Sequence, residues 1–186
     1  HLFSLLNARY GEKDFTDFLI NYVDTHQFQN SDFNEFDQAI KSNFDASIEE
    51  EVKDWYTTKK LPGFLIKDLE TYKVKDGDHI KYQIRFKISN PESVDGIVSV
   101  NIETGGQNRR RRRRNQGNKN PDFTKSIFIP ANSARELGFV FPSQPGRMNV
   151  FTHISENLPN SLIYDFSDFS ETKKSQFFNE VKDVAP

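Results

Sequence analysis

Hydrophobic and polar positions follow two periods along this chain, and the switch between them falls near Pro62. Before it the spacing is helical. Phe15, Phe18, Leu19, Tyr22 and Val23 recur at i, i+3, i+4, i+7 and i+8, one apolar stripe on a helix. Phe33, Phe36 and Ile40 repeat that spacing, with Ser31 or Asp32 placed to accept from the free N–H groups of the first turn. Ser47-Ile48-Glu49-Glu50 reads as a capping box, in which Ser and Glu satisfy two orphan donors reciprocally. Ile48, Val52 and Trp55 then form the buried stripe of a third helix. Upstream, Leu2, Phe3, Leu5 and Leu6 crowd together without a cap before them, which predicts the last turns of a helix cut open at His1. Gly11 is the break that follows it. Pro62 ends the helical region, because proline biases Leu61 away from helical geometry.

After Gly63 the period is two. Ile80, Tyr82, Ile84, Phe86 and Ile88 alternate with polar residues, which predicts a half-buried strand. Lys75-Asp76-Gly77-Asp78 predicts a tight turn before it, and Asn90-Pro91 a turn after it. Val98, Val100 and Ile102 give the next strand, and further strands are expected at 66–74, 123–129, 135–141, 148–154 and 161–166. Such a series of short strands with turn signals between them predicts an antiparallel Ig-like sandwich. The expected fold is therefore α+β: a small all-helical N-terminal subdomain over 1–62, an Ig-like β-sandwich over 63–169 and a polar tail over 170–186. Within the tail, Phe177, Phe178, Val181 and Val184 have the spacing of one short amphipathic helix. A helical unit of this size is marginal alone, because too little of its surface can be buried, so it is expected to lean on another surface.

Composition changes the picture in two ways. Phenylalanine is unusually frequent, 18 in 186 residues, and carries most of the expected burial. The net charge is −2, yet six of the positive charges form one run, Arg109, Arg110, Arg111, Arg112, Arg113 and Arg114; without them it falls to −8. The body is thus acidic and unsuited to general nucleic-acid binding. No cysteine is present, so disulfides and thiolate metal sites are excluded. No segment approaches the length of a membrane span.

Candidate chemistry is sparse. The four histidines, His1, His26, His79 and His153, include no pair at i, i+4 and no H-E dipeptide, so the zinc-protease helix motif is missing. Glu49, Glu50 and Glu51 fan around a helix rather than converge, which suits a solvated first turn better than a cation site. Ser143 sits in no G-x-S-x-G elbow. Trp55 reads as a core anchor and His26 as a structural residue at a helix end. The arginine run could grip phosphate or anionic lipid, but no aromatic residue between Gly105 and Asp122 offers base stacking, so a solvated loop is the simpler reading.

One stretch carries a resemblance. Phe15, Phe18, Leu19, Tyr22, His26 and Phe28 follow the pattern F-x-x-F-L-x-x-Y-x-x-x-H-x-F; Asp32-Phe33, Trp55 and Leu61-Pro62 come after it. In order and spacing this resembles the segment behind the active site in zinc aminopeptidases of the aminopeptidase N family, the gluzincins, where a β-sandwich comes next. Asn149–Phe166 is similar to the β-rich C-terminal part of membrane-associated relatives from Bacteroidetes-type bacteria. The resemblance implies a non-catalytic C-terminal portion that supports the catalytic domain of the same polypeptide and shapes substrate access. Zinc, with H-E-x-x-H, a further Glu and a Tyr, would belong to the full-length parent, upstream of His1, and this chain would hold no cofactor. A periplasmic or extracytoplasmic location, with membrane contact only through the parent, is what the resemblance implies. Self-association through the helices is a further expected partner mode. The alternative reading is a free-standing sandwich module that contacts an anionic partner through its arginine loop.

Overall fold

The computed structural model of the chain describes residues 2–49, 52–53, 57, 60–104, 122–171 and 177–185. It is a mixed α and β protein in two compact units, His1–Lys60 and Leu61–Pro186. Among the described residues there are three helices, α1 (Leu2–Tyr10), α2 (Glu12–Thr25) and α3 (Phe33–Phe44). Nine strands follow: β1 (Leu65–Asp76), β2 (His79–Asn90), β3 (Gly96–Thr104), β4 (Phe123–Ile129), β5 (Ser133–Phe141), β6 (Pro145–Phe151), β7 (Ser161–Asp165), β8 (Ser170–Glu171) and β9 (Val181–Val184).

The helical unit closes around aromatic rings. Leu6, Phe15, Phe18, Ile40 and Ile48 are buried together, with Tyr10, Leu19, Tyr22, Phe36 and Phe44 packed against them. Tyr10 stacks on Phe44 at 4.3 Å, and Phe18 meets Phe44 edge-on at 5.4 Å. Such pairs add to the area they bury. Val23, expected in the stripe of α2, is 61% exposed, and Phe33 is 39% exposed at the first position of α3. Asp32, one of the two expected caps, starts α3 and makes a reciprocal box with Glu35. At the expected third helix, Ser47 Oγ accepts from the Glu49 N–H at 3.2 Å. Glu50, the other half of the expected box, and Trp55 lie outside the described residues. What the sequence did not suggest is Asp37 of α3. Its carboxylate accepts from Ser47 Oγ at 2.9 Å and from the Ile48 N–H at 2.6 Å, tying the start of the next segment to α3.

The second unit is a sandwich-like pair of mostly antiparallel sheets, ordered β8-β1-β2-β5-β9 and β4-β3-β6-β7. Alternation puts one face of each strand inward. Ile84, Phe86 and Ile88 of β2 and Leu137, Phe139 and Phe141 of β5 meet Val98, Val100 and Ile102 of β3 and Met148 and Val150 of β6 in one core. Gly77 at φ 61 allows a two-residue hairpin in which Asp76 pairs with His79. Ile80, counted with the buried set by alternation, lies next to that turn and is 52% exposed.

The region after Phe169 corrects the expectation of a polar tail. Ser170–Glu171 runs parallel to β1, and Val181–Val184 pairs with β5, placing Val181 opposite Leu137 and Val184 opposite Ala134. The expected helix over Phe177–Val184 is therefore a strand preceded by an extended segment. Spacing alone does not separate the two in a stretch this short, and an unpaired sheet edge favoured the strand.

Candidate functional site

Three places gather side chains that could do chemistry or make contacts. The first is the end of α2. Thr25 donates its hydroxyl to the carbonyls of Asn21 and Tyr22, at 2.9 and 3.0 Å. His26 turns its ring back on the helix, stacks on Tyr22 at 4.1 Å and sets Nδ1 2.8 Å from the Tyr22 carbonyl oxygen. A carbonyl only accepts, so Nδ1 is the donor in this contact. Phe18, Asn21, Tyr22, Thr25, His26, Ala39 and Asn43 line a shallow cleft of about 210 Å³ here. Phe28 follows at φ 61, a left-handed backbone unusual for a bulky residue, with its ring wholly exposed.

The second place is a pair that spacing could not reveal. Ser99 Oγ lies 2.7 Å from His153 Nε2 and 3.0 Å from Ser126 Oγ. Antiparallel pairing of β3 with β6 sets Ser99 opposite Phe151, and His153 follows two residues on at φ 52, its ring edge-on to Phe151 at 4.7 Å. Burial pushes the His153 imidazole below its ordinary range, so it is neutral at pH 7 and accepts from Ser99. A nucleophile next to a base suggests acyl transfer, but the surroundings are wrong for it. Ser99 lies mid-strand between β4 and β6, where neighbouring N–H groups are committed to the ladder and cannot converge on an oxyanion. The pair is a polar closure on the sheet face.

The third place is the end of the sandwich at Asn90, fully buried. Its Nδ2 donates to the Val94 carbonyl at 2.8 Å, and its Oδ1 accepts from the N–H groups of Glu92 and Gly63 at 3.2 and 3.4 Å. Nearby, Asn157 pairs with both backbone groups of Phe64, each at 2.8 Å. These amides act as pieces of backbone and carry no reactive chemistry.

The residues singled out from sequence do not assemble. Arg109, Arg110, Arg111, Arg112, Arg113 and Arg114 lie outside the described residues, as do Glu50, Glu51 and His1. Glu49 is exposed, Ser143 sits exposed in the turn after β5, and His79 opens β2 at the surface. Among the described residues, no three His, Cys, Asp or Glu side chains are grouped so as to hold a metal. No described helix is long and apolar enough to cross a membrane. No family model, curated protein or solved structure matches the chain.

Proposed function

We propose that this chain is the non-catalytic C-terminal portion of an aminopeptidase N-like zinc metallopeptidase. Its helical unit supports the catalytic domain of the same polypeptide and its β-sandwich helps to shape substrate access. The observation that carries the reading is the apolar surface left open on the helical unit. Ile20 and Val23 share a ridge of α2 about 140° round the helix from Phe15 and Phe18, and are 55% and 61% exposed. Phe3 is 54% exposed, and Phe28 projects fully from a strained backbone. Burying each such side chain is worth about 1.5–3 kcal/mol, so a covering partner gains substantially from this face. Tyr22, His26 and Phe28 are also the motif positions on which the resemblance to the gluzincin segment rests.

The sandwich supports the same reading. We read the two sheets, ordered β8-β1-β2-β5-β9 and β4-β3-β6-β7, as an Ig-like sandwich whose fourth strand joins the third rather than the fifth. In this proposal the zinc ligands and the transition-state tyrosine belong to the parent, and the chain itself does no chemistry. The test compares this chain with the natural polypeptide captured from its source cells by an antibody to the sandwich. The isolated chain should bind no stoichiometric zinc and leave an aminoacyl-anilide uncleaved, while the captured polypeptide cleaves it in a chelator-sensitive way. One tightly bound zinc on the isolated chain, or turnover by it, overturns the proposal; so does a captured species no larger than 21.6 kDa.

A further inference from the structure

The outer face of the five-stranded sheet holds a seat for an aromatic ring. Leu137 and Phe139 point into the core, so Gly138 between them faces outward. A side-chain carbon there would come within 2.1 Å of the Phe178 ring and 2.3 Å of the Phe178 carbonyl oxygen, so the approach requires glycine. Beside it Gln83, 1% exposed, accepts the Phe178 N–H on Oε1 at 3.0 Å. The Arg85 guanidinium lies 5.1 Å from the centre of the same ring. Asn179 Oδ1 accepts the Val140 N–H at 3.1 Å, and the Gly138 N–H donates to Glu180 at 2.9 Å, where the ladder between β5 and β9 begins.

The seat is built, whereas the segment in it is held mostly by exposed contacts: a short ladder with β5, the Arg135–Asp183 ion pair at 2.9 Å and the Lys81 ammonium 5.4 Å from the Phe177 ring. Phe177 is 48% exposed, and Asn179, Glu180, Lys182 and Asp183 are all exposed; Phe178 and Val181 are its apolar anchors. A segment with so few buried contacts opens at a cost well below that of unfolding the domain. Once open, it leaves a sheet edge, a ring seat and a buried amide that together recognise an extended peptide by its backbone and one aromatic side chain.

We propose that the β5 edge with the Gly138 seat is a peptide-binding site for the pattern Phe-Asn-x-Val, filled within one chain by residues 177–184 and open to the same segment of a second copy of this chain. Each copy carries both site and ligand, so exchanging segments keeps every contact and costs only the entropy of association. The inference does not depend on the peptidase reading.

The chain has no cysteine, which allows a direct test. Ala134 and Val184 are partners across β5 and β9. Two full-length variants, Ala134→Cys and Val184→Cys, are mixed under mild oxidation. A disulfide joins one to the other only when the segment of one copy lies on β5 of the other. We expect the heterodimer to form about tenfold faster than when Phe178→Ala is added to the Val184→Cys copy or Gly138→Ala to the Ala134→Cys copy. Amide exchange checks the fold: in both seat variants the Gly138 amide should exchange faster while Ile84 and Phe86 stay protected. Equal heterodimer rates with and without the seat would overturn the proposal, as would loss of protection throughout the sandwich in Phe178→Ala. A peptide of residues 177–184 should suppress the cross-link, and a scrambled peptide of the same composition should not; equal suppression would refute recognition of this segment.

Discussion

Replacing Asn90 with alanine should be among the most damaging polar substitutions in the sandwich. The side chain is fully buried at the end of β2 and ties three other chain segments: the turn leading to β3, the residues before β1 and, at 3.4 and 3.3 Å, the Ile129 and Pro130 carbonyls at the end of β4. Alanine leaves the Val94 carbonyl and the Glu92 N–H without these partners, and weakens the hold on Gly63. Each orphaned buried group costs about 1–3 kcal/mol, and these three residues are only half-buried, so the low end applies and the total is about 2–4 kcal/mol. Asn90→Asp separates hydrogen bonding from packing. Its shape is almost unchanged, but at neutral pH it sets a carboxylate against carbonyl oxygens, so it should lose at least as much as alanine. Protonation restores a donor, so the aspartate variant should recover part of the loss as pH falls, whereas the alanine variant should not. Urea unfolding at pH 7 and pH 4.5 reads both effects. A loss below about 1 kcal/mol for alanine, or an aspartate variant without that recovery, would refute the reasoning.

Asp37→Ala should cost the helical unit about 1–2 kcal/mol, read by urea unfolding, because Ser47 and the Ile48 N–H lose their shared acceptor. Burial lowers the folded pKa of His153 from its ordinary 6.5, so the unfolded state takes up the proton first as pH falls. Stability from this group is present above about pH 6.5 and is lost below it, and His153→Gln should flatten that part of the pH–stability curve; an unchanged slope would contradict it. Shortening Gln107–Lys119 to an Asn-Gly turn should leave stability within about 1 kcal/mol, since β3 and β4 are paired and Asp122 already holds Thr104 through Oγ1 at 2.8 Å. Any binding to anionic vesicles should disappear with the same deletion and weaken steeply with salt; binding that persists at high salt would favour the interaction-module reading.

Much of the sandwich was legible because its inner strands follow a strict alternation. Ile84, Phe86 and Ile88 and then Val98, Val100 and Ile102 mark their own inward faces. The helical stripes were legible for Phe15, Phe18 and Ile40, which are buried, but not for Val23, because a stripe has two edges and periodicity does not say which one meets the core. What escaped the sequence depends on residues far apart in the chain. Ser99 and His153 meet only through strand pairing, and Asn90 works by reaching backbone from three segments, which no local pattern records. The strand at Val181–Val184 has helical spacing in the sequence. Its conformation is fixed by the open edge of β5 and by the space over Gly138, not by its own spacing. A clue was present in Gly138, a glycine inside an otherwise regular strand pattern, which marks a close approach of other atoms.

We propose that a catalytic domain belongs to the same polypeptide, ahead of the helical unit. The most direct measurement is to sequence the transcript upstream of the His1 codon. An open reading frame is expected that continues upstream and encodes H-E-x-x-H, then a further glutamate and a tyrosine before the helical unit. A stop codon or an initiating methionine a few residues before His1 would contradict it, as would a continuous upstream frame that encodes no such zinc site.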